Sequence, residues 1–308
     1  MVYNAERALE LVHIDLCGPI TPTTPGGSKY FLLVVDDKSR YMWLEVMRSK
    51  DEALKYFKKV HALAGNEHNL KMKAFRTDRG GEFNSELFVE YCNEHGIKRH
   101  TNAPYSLQQN GVVERRNQTV VEMACSVMKG MGMPSMFWGE AVKTAVHVLN
   151  RSPTRSLDSI TPYEAWHHRK PNLSYLRTFG CVVHVKKVGP GVRKLDDRST
   201  LMVFVGYEEG SKAYRVYNPA TQRVYVSRDV VFEEDRPWNW QAGTGASEHL
   251  EQFTVMYGDE EVHEHGHGET AAGEIMTQAA GSPVRSGATA ENCASAENGA
   301  SAENSATT

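Results

Sequence analysis

The sequence predicts a mixed α/β domain, with helices packed on a five-stranded sheet, followed by a small β-rich module and a polar tail. Three observations predict this. From about Leu9 to Leu176, short β-branched and aromatic runs alternate with segments of helical period. Residues 177–237 carry only short strand-like runs, separated by Gly, Asn-Pro and charged turns. Residues 238–308 are rich in Gly, Ala, Ser, Thr and Glu and poor in large apolar side chains. Such a tract cannot bury enough apolar surface to offset its ordering entropy, so it reads as disordered.

The elements follow in order. LELVHIDL, KYFLLVVDD and YMWLEVM read as three leading strands, with TPTTPGGS as the turn after the first. SKDEALKYFKKVHALAG places Ala53, Leu54, Phe57, Val60 and Leu63 at helical spacing; Ser49 or Asp51 can cap it and Gly65 can end it. KMKAFRTD is a fourth strand, SELFVEYCNEHG a helix ending at Gly96, and IKRHTNA a fifth strand. QQNGVVERRNQTVVEMACSVMKGMG opens a long helix, and Pro134 starts the next, through SMFWGEAVKTAVHVLNRSP. Strands before helices, then a strand–helix–strand unit, call for a mixed sheet with helical layers. In the second region, TFGCVVHVK, TLMVFVGYEE and AYRVYNPATQRVYVSRDVVFEE suit either a small β-barrel or an open meander, with a hairpin at YNPATQRVYV.

Charge is unevenly spread. The chain has 308 residues and a net charge of -3, but residues 238–308 hold 11 acidic residues against the single base Arg285. That leaves +7 on residues 1–237, a balance that suits a polyanion, although charge alone favours an ordinary basic domain. No apolar run is long enough for a membrane span, and MVYNAERALE lacks a secretory pattern, so the nucleus and cytoplasm are expected. Cys17, Cys92, Cys125, Cys181 and Cys293 include no C-x-x-C pair, so neither a disulfide framework nor a cysteine zinc site is expected.

Three carboxylates stand out. Asp15 lies mid-strand in HIDLCGP, Asp78 ends a strand in FRTDRGGEF, and Glu114 opens the long helix in NGVVERRN. Sixty-two residues separate the aspartates and 35 separate Asp78 from Glu114. Carboxylates from different elements can converge on hard divalent cations, which neutralise the attacking and leaving oxygens of phosphoryl transfer. Spacing alone leaves a second reading open, with Asp78 as a turn residue and Glu114 as a first-turn helix residue. His13, two residues from Asp15, shares its strand face and reads as a packing or supporting residue.

These stretches resemble the integrase core of plant copia-like LTR retrotransposon polyproteins. HIDLCGP, VVDDKSRYMW, FRTDRGGEF, APYSLQQNGVVERRNQT, FWGEAVKTAVHVLNRSP and TPYEAWHHRKPNLSYLRTFGC carry the resemblance, nearly continuously over residues 7–237. It implies a ribonuclease-H-like core at 7–176, then an SH3-like β-barrel at 177–237; the disordered acidic tail at 238–308 is read from its composition and resembles nothing in the family. It implies that Asp15, Asp78 and Glu114 hold two Mg²⁺ or Mn²⁺ ions and join retroelement DNA ends to target DNA. Self-association is implied, and no small-molecule cofactor or membrane.

Around Glu114, Gln108, Gln109, Asn110, Arg115, Arg116 and Asn117 are candidate DNA contacts, with Arg79 beside Asp78. Two arginines in the first helical turns oppose the macrodipole, which favours a functional reason for them. Gly111 is expected to loosen the backbone before the helix. Trp43, Trp138 and Trp166 read as core. His263–His267 matches H-E-x-x-H, but Gly266 and Gly268 and its polar setting argue against the helix a zinc protease needs. The family's upstream His/Cys zinc-binding region does not precede Asp15 here, Leu107 stands where the family has Pro, and no reverse transcriptase follows. A remnant that only binds nucleic acid or protein, and a ribonuclease-H-type nuclease, are the rival expectations; NGVVERRN argues against the second.

Overall fold

The structure is a computed structural model, and it describes residues 5–77, 81–101, 111–186, 199–243 and 254–255. The chain divides into two units, Met1–Met276 and Thr277–Thr308, and every described residue lies in the first.

The first sheet is built from β1 (Val12–Cys17), β3 (Tyr30–Asp36), β4 (Met42–Met47), β5 (Ala74–Thr77) and β6 (Lys98–Thr101), in the order β4-β3-β1-β5-β6. β3 runs antiparallel to both β1 and β4, while β5 runs parallel to β1 and β6 parallel to β5. This is the five-stranded mixed sheet of the ribonuclease-H-like arrangement, with helices on both faces. β3 is apolar along YFLLVVD because both its faces are covered. Phe31, Leu33 and Val35 join Val113, Val120, Ala124 and Val142 on one side. Leu32 and Val34 join Phe57, Val60 and Phe88 on the other.

The helices are α1 (Ala53–His68), α2 (Glu86–Glu94), α3 (Gly111–Gly130), α4 (Trp138–Leu149) and α5 (Pro162–His167). α1 runs past Gly65. It ends where Asn69 turns left-handed (φ 52) and its amide reaches the Gly65 carbonyl. Asn tolerates that conformation, so Gly65 is not needed as the stop. Ser49 precedes a 3-10 turn, Lys50–Glu52, and makes no side-chain cap bond. α5 begins as TPYE suggests, with Thr161 Oγ1 accepting from the Glu164 amide at 3.0 Å and Pro162 at the first position. Trp138 and Trp166 are fully buried, and Trp166 packs edge-on against Trp43 at 4.8 Å.

β4 is an outer strand of this sheet, and Asn150 pairs with its first residue. Its Oδ1 accepts from the Met42 amide at 2.9 Å and its Nδ2 donates to the Met42 carbonyl at 2.8 Å. Asn150 is 3% exposed, so Asn150→Ala strands two buried backbone groups. A loss of about 2 kcal/mol is expected in urea unfolding. A change near zero would show that neither bond matters.

The second sheet comprises β7 (Cys181–Lys186), β8 (Ser199–Tyr207), β9 (Tyr214–Asn218), β10 (Arg223–Ser227) and β11 (Val230–Pro237). Its order is β10-β9-β8-β7-β11, all antiparallel. The expected barrel is not there: among the described residues β10 and β11 are the two outer strands of an open sheet, with no pairing between them. The physical reason is that a helix does what closure would do. Val203, Val205 and Tyr217 pack into the same cluster as Trp138, Ala141 and Ala145 of α4. The opposite face carries Val183, Met202, Phe204 and Val216, under Tyr214 and Phe232. Gly206 (φ +142) lets β8 approach α4, where a Cβ would stand 3.0 Å from Thr144 Oγ1. Arg215 clamps the contact through two bonds to Glu140, at 2.7 and 3.0 Å, and one to Glu208 at 3.0 Å. The Glu140 carboxylate raises the Arg215 pKa above the usual guanidinium range. At the same seam His147 stacks on Tyr207 at 4.2 Å; burial, with Arg151 nearby, lowers its pKa to about 3 and keeps it neutral.

Order also extends past residue 237, where the tail was expected to begin. Trp238 and Trp240 pack against the α4 cluster, and β12 (Thr254–Val255) pairs with β2 (Ile20–Thr21). Large aromatic side chains so close to an apolar cluster have somewhere to bury. Most of the remaining tail, including His263–His267, Arg285 and Cys293, lies outside the described residues. Among the described residues no helix is long and apolar enough to cross a membrane.

Candidate active site

β1 carries the first carboxylate. Its odd positions, His13, Asp15 and Cys17, share the side that meets α3, because Cys17 packs with Val113 and Val120 of that helix. Asp15 is half-buried at mid-strand. Asn117 of α3 donates from Nδ2 to Asp15 Oδ2 at 2.5 Å and is itself 2% exposed. Glu114 precedes Asn117 by three residues on α3, one helical turn, and is exposed. Asp15 and Glu114 therefore sit within one turn of a shared contact. Asp78 follows directly on Thr77, the last residue of β5, and lies with Arg79 outside the described residues. Gln108, Gln109, Asn110 and Leu107 lie outside them as well.

His13 is 1% exposed and points away from cation chemistry: its Nε2 meets Asp37 Oδ1 at 2.9 Å. Arg40 donates to the same oxygen at 3.0 Å, and the Ala5 amide donates to Asp37 Oδ2 at 2.8 Å. Burial alone would raise the Asp37 pKa. The His13 bond, the Ala5 amide and Arg40 outweigh it and hold the carboxyl at about 2. Asp36 beside it accepts from the Leu9 and Ser39 amides and the Ser39 hydroxyl, yet burial raises its pKa. The VVDD segment is thus a buried brace that ties residues 5–9 and β1 to the β3–β4 hairpin.

The helix start differs from expectation in two places. Gly111 is the first residue of α3 and is buried; the Arg115 guanidinium lies over it, 2.9 Å from where a Cβ would stand. Gly111 is therefore part of the helix rather than a loose residue before it. Arg115 is exposed, whereas Arg116 is half-buried and donates to Thr154 Oγ1 at 2.9 Å. Burial, then the charge of Arg40, lowers the Arg116 pKa. Asn117, expected as a DNA contact, is buried with its Nδ2 on Asp15, while its Oδ1 has no hydrogen-bond partner among the described residues. A signal for this stood in the sequence: Val113, Asn117, Val120, Ala124 and Met128 form the buried stripe of α3, so Asn117 is a polar residue on an apolar face.

Carboxylate oxygens on adjoining elements are the donor set that hard divalent ions take, so Asp15 and Glu114 fit Mg²⁺ or Mn²⁺ in kind. Among the described residues no group of three His, Cys, Asp or Glu side chains is placed to hold a metal ion.

Comparison with known proteins agrees with this layout. Residues 5–106 match the family described as Integrase core domain, and residues 180–246 match the Retroviral polymerase SH3-like domain. The chain is therefore an integrase-type, ribonuclease-H-like core with an SH3-like domain, the latter open rather than closed into a barrel. It is 42% identical over 228 residues to the Retrovirus-related Pol polyprotein from transposon TNT 1-94 of Nicotiana tabacum, covering 73% of this chain and 17% of that protein. It is 32% identical over 233 residues to the transposon RE1 polyprotein of Arabidopsis thaliana, covering 75% of this chain and 16% of that one. A solved HTLV-2 integrase catalytic core in complex with magnesium is 20% identical, with a TM-score of 0.42 over 53% of this chain and 100% of that one. The chain closely matches plant copia-like retrotransposon Pol polyproteins and spans about a sixth of the polyproteins it matches.

Proposed function

We propose that this chain is the catalytic core of an integrase, a metal-dependent polynucleotidyl transferase that processes retroelement DNA ends and joins them to target DNA. The observation that carries the reading is Asp15 at the centre of β1, held by Asn117 one helical turn from Glu114. The β1–β5 register supports the third carboxylate. Val12 pairs with Phe75 and His13 with Arg76, an offset of 63 residues, and Asp78 stands 63 residues after Asp15. Asp15, Asp78 and Glu114 would hold a divalent pair, which would neutralise charge on the attacking and leaving oxygens.

The chain's own residues do the rest. Asn117 fixes the rotamer of Asp15, which keeps the carboxylate aimed before any ligand arrives. The Asp37 brace, through His13, holds β1 against the β3–β4 hairpin. Arg115, exposed next to Glu114, is placed to meet a DNA phosphate, with Gln108, Gln109, Asn110 and Arg79 as further contacts. Arg116 supports that surface through Thr154. No protein nucleophile is required, because water or a DNA 3′-hydroxyl attacks.

The test is strand transfer and its reversal on a branched oligonucleotide, with Mg²⁺ or Mn²⁺, beside Glu114→Gln. Metal-dependent product that falls about a thousandfold in the variant supports the reading. A folded wild-type chain that makes no product, yet binds DNA without metal and with steep salt dependence, supports a binding remnant instead. Cleavage of RNA–DNA hybrids without strand transfer would point to a nuclease.

A further inference from the structure

The two sheets present four outer strands, and three are protected. Asn150 pairs with Met42, the first residue of β4. β6 is Lys-Arg-His-Thr, with charge along its length. β11 carries Glu233, Glu234, Asp235, Arg236 and Pro237, with a break in register between Glu233 and Pro237. Charge, proline and bulges are how proteins keep sheet edges from pairing.

β10 has a single charge, Arg223 at its first position, and neither proline nor bulge within its span. It reads Arg-Val-Tyr-Val-Ser and, among the described residues, pairs only with β9. Val224, Tyr225 and Val226 are 38%, 39% and 52% exposed. Every second residue of such a strand turns its amide and carbonyl outward. Three consecutive residues of high β propensity thus line an open ladder.

We propose that β10 is a self-association edge, and that its occupant is the β10 of a second copy of this chain, antiparallel about a two-fold axis at Tyr225. The sequence is self-complementary in that register. Tyr225 faces Tyr225 of the other copy, Val224 faces Val226, Arg223 faces Ser227, and Arg228 faces Gln222. No arginine meets an arginine, and all five residues of the strand pair. Keeping the two faces of the joined sheet continuous requires shifts of two residues. A shift one way sets Arg228 against Val224, and the other sets Gln222 against Val226, with fewer pairs in each. The valines lie on the side of Arg215 and Tyr217, and Tyr225 lies on the side of Val216, so each meets its like across the axis. The result is one continuous ten-stranded sheet, an isologous contact of the kind two-fold dimers use. It stands apart from the chemistry at Asp15.

The experiment uses the full chain. Sedimentation is expected to show a concentration-dependent monomer–dimer equilibrium. Val226→Lys, a change at an exposed site, is expected to weaken it at least about tenfold with the melting temperature unchanged. Tyr225→Cys is expected to yield a disulfide dimer under mild oxidation, since directly opposed strand residues lie within disulfide reach. Thr221→Cys, in the preceding turn, is not. A chain that stays monomeric at about 100 µM overturns the proposal, as does a dimer that Val226→Lys leaves intact and Tyr225→Cys does not link. A monomer whose β10 amides resist hydrogen exchange also overturns it, because a segment of the same chain then holds the edge.

Discussion

Asp15→Asn is expected to silence strand transfer while leaving the fold intact. The amide keeps an oxygen for Asn117 Nδ2, so the β1–α3 contact survives. The charge that a divalent ion needs is gone, and a loss of about three orders of magnitude in rate is expected, equal to roughly 4 kcal/mol of barrier. Stability moves the other way or stays put, because a half-buried carboxylate poised for a ligand is a cost the ligand-free protein bears. The informative pair of readouts is activity and the melting shift on adding millimolar Mn²⁺. Wild type is expected to gain stability on binding metal, and the variant to gain little. Strand transfer retained by Asp15→Asn would remove Asp15 from the chemistry, and a collapse of the melting temperature would make it a packing residue.

The separation of function from packing at Asp15 shows what was legible in the chain. The leading strands were legible because β3 is apolar on both faces, a pattern that only a doubly covered strand sustains. The long helix was legible from its stripe, and Glu114 from the motif around it. Asn117 lies in the same stripe, but a polar residue beside two arginines reads first as surface.

The open second sheet was not legible. Its strands alternate correctly for a barrel, and nothing local says whether a strand or a helix covers the inner face. That choice is made by contacts remote in sequence: Arg215 on Glu140, 75 residues away, and Gly206 beneath Thr144. Trp238 and Trp240 stand at the head of a polar tract, while Phe137, the ring that Trp240 meets, lies about a hundred residues upstream. Long-range pairing of this kind leaves no periodicity to read. Of the predicted site residues, Asp78, Arg79, Gln108, Gln109 and Asn110 lie outside the described residues, so the sequence remains their warrant.

Asp37→Ala is expected to be the most destabilising single change in the core brace. Asp37 is 6% exposed and receives bonds from the Ala5 amide, His13 and Arg40. Removing it leaves His13, already without a partner at Nδ1 among the described residues, buried with neither ring nitrogen bonded to this carboxylate. Breaking a buried charged network from one side costs about 3–5 kcal/mol, a large share of a domain's stability. The pH dependence has a fixed sign. The folded pKa of about 2 lies below the ordinary value of 3.8, so this contribution is complete above about pH 4. It is lost as pH falls towards 2, and amounts to roughly 2 kcal/mol. Asp36 opposes it, since burial raises its pKa and its protonation favours the folded state as pH drops. Urea titrations at pH 3 and pH 6 separate the two: Asp37→Asn should flatten the acid loss seen in wild type, and Asp36→Asn should steepen it. An acid limb that neither variant alters would place the pH sensitivity elsewhere and reduce VVDD to ordinary turn residues.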